Sequence, residues 1–364
     1  MDRSKLVAKL QTIDPATTSN QLIPIMSHYW FMGDRVMAYN DQISISVPCK
    51  TDFTGAVPAT LLGLLKSSKA KEVEFTEQGD DLLIKAAATK IKLPLIPADE
   101  LTMFTMPEPK SDFKHVMAKS GKFLECLEAC MQSTTTDTST PDYLGVTAMA
   151  KDESLQLFAC NDETMTYANL HIGELVFKSR VVLSAAFCTQ LLKQISSDVK
   201  FSTLELHNDY SLATMTNGTI LFGRLIDVQK PLDYASIIAR NYNTSIISKL
   251  VQIPTKLEGI LERAVIITDS AVDQTKTSVS VRDGIMRFKS KSAKGEISDS
   301  MQVPNHPDVS VMLEARRLRK GLEAGFSHIL VTDTCAVMVK GVTNDKGTLT
   351  RAEVVYLVAA TDPA

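Results

Sequence analysis

The 364-residue chain lacks the local signatures on which most enzyme assignments rest. No GxxxxGK[ST] loop, HExxH helix, GxSxG elbow or CxxC pair occurs, so phosphate-loop, zinc-protease, serine-hydrolase and dithiol chemistry find no footing. No apolar run approaches the roughly 20 residues that span a bilayer, and the leading MDRSKL has no signal-peptide core, so a cytoplasmic protein without membrane partners is expected. Aromatic residues make up 6% of the chain, with a single tryptophan; Trp30 stands between Tyr29 and Phe31, where sheet packing is the ordinary role. An excess of one charge is missing too: 39 basic residues face 42 acidic ones for a net charge of −3. This excludes a protein that coats nucleic acid with its whole surface, while leaving room for a local basic face.

The six cysteines, Cys49, Cys126, Cys130, Cys160, Cys188 and Cys335, form no disulfide-like framework and are expected to be reduced and buried. Cys126 and Cys130 lie one helical turn apart, a spacing that could offer two metal ligands. No further pair completes a site, and both fall on the apolar stripe of their helix, so core packing is the expectation. The six histidines are dispersed and read as structural. No metal or cofactor is expected.

What is present is a repeat. Amphipathic helices are expected over Ser4–Gln11, after Pro58, from Ser120, after the Ser184 cap, from Thr255, and over Glu314–Glu323. In the helix from Ser120, Phe123, Cys126, Leu127, Cys130 and Met131 recur at helical spacing. Leu257, Ile260, Leu261, Ala264 and Val265 repeat the pattern from Thr255. Each helix precedes about three short strands joined by turns such as Gly33-Asp34, Asn40-Asp41 and Asp283-Gly284. Further strands are expected at Phe113–Ala118 and Ile246–Ile253. Leu221–Asn241 reads as a strand that breaks at Asp227 into a linker, with Tyr234 as its anchor. Six helix-plus-strands units, two per domain, give an α+β architecture of three repeated domains at 1–110, 111–243 and 244–364, with antiparallel sheets covered on one face by helices.

The faces of those helices turned from the sheets carry Lys5, Lys9, Lys66, Lys69, Lys119, Lys122, Lys193, Lys256 and Arg263, and the dense cluster Arg316, Arg317, Arg319 and Lys320. On one helix such residues are ordinary solvated cover. Recurring in every unit, they point to a surface for phosphate backbones, interrupted by Glu125, Glu128, Glu258, Glu262 and Glu323.

With the repeats in view, five stretches resemble the bacterial-type DNA polymerase III β sliding clamps, as a divergent and phage-borne member of that family would. GRLIDVQKPLDYASIIARN is similar to the family's linker SRLIDGxFPDYxxVIPxN. TKIKLPLIPADEL, LERAVIITD, KTSVSVRDGIMRFKS and EVVYLVA follow the family's order and spacing. The resemblance implies a non-enzymatic processivity factor: a head-to-tail homodimer closed into a ring, helices inside and sheets outside, each chain forming half. The ring would enclose duplex DNA independently of its sequence, with the basic helix faces toward it. A clamp loader, the replicative polymerase and other proteins with clamp-binding peptides would be its partners. By family position, Ile91 and Leu93 of one subunit would meet Val265, Ile266 and Ile267 of the next. A peptide pocket would be walled by Tyr143, Cys160, Asp162, Glu163, Thr164, Met165, Pro231, Ser236, Ile237, Val354, Val355 and Tyr356.

Three departures from the pattern stand out. The family's TDGHRL loop is CNDETM here, placing acidic Asp162 and Glu163 where a Gly-His-Arg run is usual. Leu232 is an extra residue between Pro231 and the Asp-Tyr pair, and AATDPA extends the usual ending. Little of the first strand precedes the first helix. An acidic pocket and a short first strand motivate an alternative from another class: a clamp-fold adaptor or decoy that binds replication-protein peptides without closing a ring.

Overall fold

The computed structural model describes residues 1–18, 23–100, 105–108, 120–136, 140–151, 153–171, 180–196, 199–269, 276–344 and 349–361. Helix α1 (Arg3–Ile13) leads into β1 (His28–Met32), β2 (Arg35–Tyr39) and β3 (Ile43–Pro48). Next come β4 (Thr54–Pro58), α2 (Thr60–Ser67), β5 (Glu74–Gln78), β6 (Asp81–Ala86) and β7 (Thr89–Pro94). A third run has α3 (Ser120–Met131), β8 (Gly145–Lys151), β9 (Ser154–Cys160) and β10 (Thr164–His171). The fourth has β11 (Arg180–Ser184), α4 (Ala185–Gln194), β12 (Phe201–Leu206), β13 (Tyr210–Met215) and β14 (Ile220–Arg224). After α5 (Tyr234–Asn241) and α6 (Thr244–Ile247) come β15 (Val251–Gln252), α7 (Lys256–Thr268), β16 (Thr277–Arg282), β17 (Ile285–Ser292) and β18 (Gly295–Gln302). The last run is β19 (Val309–Leu313), α8 (Ala315–Glu323), β20 (His328–Val331), β21 (Cys335–Thr343) and β22 (Leu349–Ala359).

The helices stand where their apolar spacing places them. The Ser184 side chain caps α4 by accepting from the Phe187 amide, leaving Phe187, Cys188 and Leu191 buried. Asp283 and Gly284 both take positive φ, 52° and 69°, which suits the tight hairpin turn between β16 and β17. Two expectations change. The strand over Ile246–Ile253 is instead the short helix α6, capped by Asn243, followed by the two-residue β15. The linker is helical over Tyr234–Asn241 because Asp233 caps it and Tyr234, Ile237, Ile238 and Asn241 follow a helical period that the adjacent isoleucines obscure. The strand expected at Phe113–Ala118 lies outside the described residues.

The chain folds into two compact units, Met1–Ser120 with Leu183–Ile226 and Gly121–Val182 with Asp227–Ala364. In the first, a seven-stranded sheet runs β12-β13-β14-β3-β2-β1-β4 beside a three-stranded sheet β5-β6-β7. In the second, an eight-stranded sheet runs β11-β8-β9-β10-β22-β21-β20-β15 beside a four-stranded sheet β18-β17-β16-β19. Each large sheet thus unites strands from two of the repeats. Helices press closely on these sheets. At Gly223 in β14 a Cβ would lie 2.4 Å from the Phe187 ring of α4, and at Gly321 in α8 one would lie 2.5 Å from Met338 Sδ of β21. Ahead of α1, Asp2 bridges Glu72 and the Met1 ammonium group donates to the Val73 carbonyl at 2.9 Å, and the corresponding strand ahead of α7 is the equally brief β15.

Candidate functional site

In the second unit α5 lies across one face of the eight-stranded sheet. Strand register sets two rows beneath it: Cys160, Met165, Leu357 and Val337, and next to it Phe158, Tyr167, Val355 and Val339. Tyr234 covers the second row, its ring stacked on Phe158 at 4.8 Å and 15°. The first row stays partly open as a cavity of about 240 Å³ between α5 and the β9–β10 turn. That is small against the roughly 300–1,000 Å³ of drug-sized sites and suits one inserted side chain.

A buried polar network fixes α5 in place. The Asp142 side chain, 2% exposed, pairs with Arg180. It also accepts from Tyr234 Oη at 3.1 Å and from the Leu232 amide at 3.3 Å. Arg180 donates in turn to the Leu232 carbonyl at 3.1 Å, and its guanidinium carbon sits 4.9 Å from the Tyr234 ring centroid. The linker's entry is thus held at both peptide groups of Leu232, and burial pushes the Tyr234 hydroxyl well above its ordinary pKa, so it stays a donor.

The β9–β10 turn is shaped by Asn161, whose side-chain oxygen accepts from the amides of Glu163 and Thr164 at 2.9 and 2.8 Å. Its two carboxylates are occupied within the chain. Glu163 pairs with Arg317 of α8, and Asp162 accepts from the Tyr143 hydroxyl, whose pKa is raised by burial and by the neighbouring acidic groups. Burial raises the Cys160 thiol to about 12 and also raises Cys335, so both sulfurs in the lining are protonated apolar surface.

Seven of the residues expected at the pocket come together: Tyr143, Cys160, Asp162, Glu163, Thr164, Met165 and Ile237. Five do not line it, each for a geometric reason. Pro231 is exposed, and the inserted Leu232 takes its place in the wall. Ser236 points away on α5, where its amide and hydroxyl bond the Asp233 carboxylate at 3.1 and 2.6 Å. Val355 lies under α5 in the row beneath Tyr234. Val354 and Tyr356 sit one residue out of phase, on the opposite face of β22, and Tyr356 Oη donates to the Arg317 carbonyl of α8. Asn161, Asn241, Thr334, Cys335, Leu357 and Ala359 complete the lining; strand parity alone would have replaced Tyr356 with Leu357.

The expected basic residues divide by unit. Lys5, Lys9, Lys66, Lys69 and Lys193 make no ion pair among the described residues. Lys119 lies outside them. In the second unit Lys122 pairs with Glu353 at 2.7 Å, Arg263 with Asp299 at 2.9 Å, and Lys256 donates to the Ser300 carbonyl at 2.9 Å. The dense cluster is largely neutralised: Arg316 meets Asp269, Arg317 meets Glu163 and Glu314, and Arg319 meets Glu323 at 3.0 Å and Glu262 at 3.9 Å. Lys320 alone of the four has no ion pair among the described residues. Ile91 and Leu93 lie on the edge strand β7, half-buried. Val265, Ile266 and Ile267 occupy the last turn of α7, with Ile266 66% exposed.

No family model and no curated relative matches the sequence. Solved structures do. A DNA polymerase III β subunit from Pseudomonas aeruginosa superposes with a TM-score of 0.82 at 16% identity, covering 100% of this chain and 99% of that one. The β chain from Streptococcus pneumoniae gives 0.82 at 15% identity over 100% and 98%. The β subunit from Thermotoga maritima gives 0.77 at 18% identity over 100% and 99%. The chain therefore has the fold of the bacterial sliding clamps along its whole length, and the resemblance read from its motifs holds for the fold.

Proposed function

We propose that the protein is a DNA sliding clamp, a processivity factor without catalytic activity of its own. The observation that carries this reading is the full-length match to the clamp fold, from end to end on both sides of the comparison. In the proposal the three repeats at 1–110, 111–243 and 244–364 are clamp domains, and two copies close head to tail into a ring around duplex DNA. The free edge of β7 with Ile91 and Leu93 would meet the α7 end with the exposed Ile266 of the next copy. A clamp loader would open the ring. The cavity under α5 would take one apolar side chain of a peptide from the replicative polymerase or another partner, set on Met165, Leu357 and Ile237. A cytoplasmic location follows from that role.

Light scattering at micromolar concentration tests ring formation, with a stable dimer expected. Retention on nicked circular DNA, lost when the circle is linearised, tests enclosure. A protein that stays monomeric yet binds polymerase-derived peptide would instead be the ringless adaptor.

A further inference from the structure

The large sheet of the first unit carries a second, larger cavity of about 520 Å³. Its floor is the register row Trp30, Met37, Ser46 and Ile220. The β2–β3 turn repeats the β9–β10 turn in detail: Asn40 accepts from the amides of Gln42 and Ile43 at 3.0 and 2.8 Å, as Asn161 does from Glu163 and Thr164. Counting from these turns, Met37 corresponds to Phe158, Ser46 to Tyr167 and Ile220 to Val355. The corresponding row in the second unit is the one that Tyr234 covers. Here Met26 and Ile96 pack against Trp30 and Met37, which are 3% and 2% exposed, and the part of the row they leave uncovered faces space bounded by Met32, which is 55% exposed, and by Met106.

One cation faces this space. The Arg35 guanidinium donates to Ser46 Oγ at 2.8 Å, to the Ser46 carbonyl at 3.1 Å and to the Gly218 carbonyl at 2.8 Å, all neutral acceptors. It makes no ion pair among the described residues, although it is half-buried. A partly desolvated guanidinium held by neutral groups retains strong attraction for a carboxylate. Glu108 stands exposed elsewhere in the lining, so the cavity is positive at one side and negative at another.

We propose that this cavity is a docking site for a partner peptide that inserts a bulky apolar side chain over Trp30 and Met37 and sets an adjacent carboxylate on Arg35. The apolar floor and adaptable methionine walls suit an aromatic or aliphatic anchor. The mouth is bordered by exposed Thr54, Ala98 and Thr105, which leaves room for a chain passing outside with one side chain hung inward. None of its residues belongs to the cavity under α5, so the two sites fail or succeed separately.

Trp30 is the only tryptophan of the chain, so its fluorescence reports on this cavity alone. The full-length protein is titrated to millimolar concentration with acetyl-Ala-Phe-Asp-Ala-amide, with the Asn analogue of that peptide, and with free 3-phenylpropionate. Saturable change with the Asp peptide is expected, weakened about tenfold for the Asn peptide or in Arg35→Gln, and lost in Ala98→Phe, which fills the mouth from an exposed position. The Ala98 variant keeps the test decisive if Arg35→Gln does not fold. No saturable signal, equal affinity for the Asp and Asn peptides, or full binding by Ala98→Phe would overturn the proposal. Phenylpropionate binding as tightly as the peptide would assign the cavity to small carboxylates and overturn it as well.

Discussion

Replacing Asp142 by Asn tests whether the buried network, rather than apolar contact alone, holds α5 on the sheet. Tyr234 donates to Oδ1 and the Leu232 amide to Oδ2, so the single amide oxygen of Asn can serve only one of them, and Arg180, 19% exposed, loses its counter-charge. Arg180 already has a buried Nε without a partner among the described residues, so it has little slack to absorb the loss. Removing one member of such a pair costs about 3 kcal/mol at the lower end of the usual range, chosen because Arg180 keeps some solvent contact. If that cost falls on the docking of the linker, the α5 amides should open about a hundredfold more readily, at about 1.4 kcal/mol per factor of ten. Hydrogen exchange at the Ile237 and Tyr242 amides, which bond the Asp233 and Ile238 carbonyls, reads this directly, with α7 amides as the internal control. Tyr234→Phe, which keeps the stack on Phe158 and loses only the hydroxyl bonds, should give a smaller acceleration, corresponding to about 1 kcal/mol. The double change Asp142→Asn with Arg180→Gln should cost less than the sum of the two singles. Unchanged exchange in α5, or equal acceleration in α7, would refute the role given to this network.

Ile237→Ala and Leu357→Ala should each weaken a clamp-binding peptide tenfold or more in fluorescence anisotropy. Tyr356→Phe, on the other face of β22, should leave affinity unchanged and lower stability by about 1 kcal/mol. Replacing Lys5, Lys9, Lys66, Lys69 and Lys193 by Gln should flatten the salt dependence of DNA binding, each lost phosphate contact removing about 0.9 from the log–log slope. The same treatment of Arg316, Arg317 and Arg319 should change it far less. Buried His306 is held neutral: Nδ1 donates to the Pro307 carbonyl at 2.8 Å, Nε2 accepts from the Val331 amide at 2.9 Å, and burial lowers its pKa. Its contribution to stability is full above the unfolded value of about 6.5 and is lost as pH falls from there through the lowered folded value. Urea denaturation from pH 7.5 to 5 should show a smaller acid loss in His306→Asn than in the native protein.

Much of the fold was legible because its signals are local. The Ser184 cap, the Asp283-Gly284 turn and the apolar spacing of α3 and α7 each fix an element from a few adjacent residues. The linker helix was not, since its capping signal at Asp233 sits two residues after Pro231 and its apolar face is shared between neighbouring isoleucines. The residues expected on the β9–β10 turn fall together at the cavity because that turn is one contiguous segment. Those expected on β22 lie outside its lining, since transferring positions between distant sequences carries no guarantee of strand parity, and one residue moves a side chain to the other face. Asn241, Thr334 and Cys335 join the lining only through long-range pairing, which no local pattern contains.

The charge pattern shows the same boundary between local and non-local information. RRLRK is the densest basic run in the chain, yet Asp269, Glu163, Glu314, Glu262 and Glu323 reach it from other segments or from the next turn of α8. Exposed pairs of this kind contribute little stability, so their main effect is on the field, which they reduce. For a clamp that reduction is consistent with function: a ring is retained by topology and needs phosphate contacts weak enough to let DNA slide. The lysines of α1, α2 and α4, which have no ion pairs among the described residues, are then the better candidates for those contacts. Arg317 acquires a different part. Through Glu163 it braces the turn that walls the cavity under α5, so the helix with the densest basic run also supports the cavity proposed to receive a partner peptide.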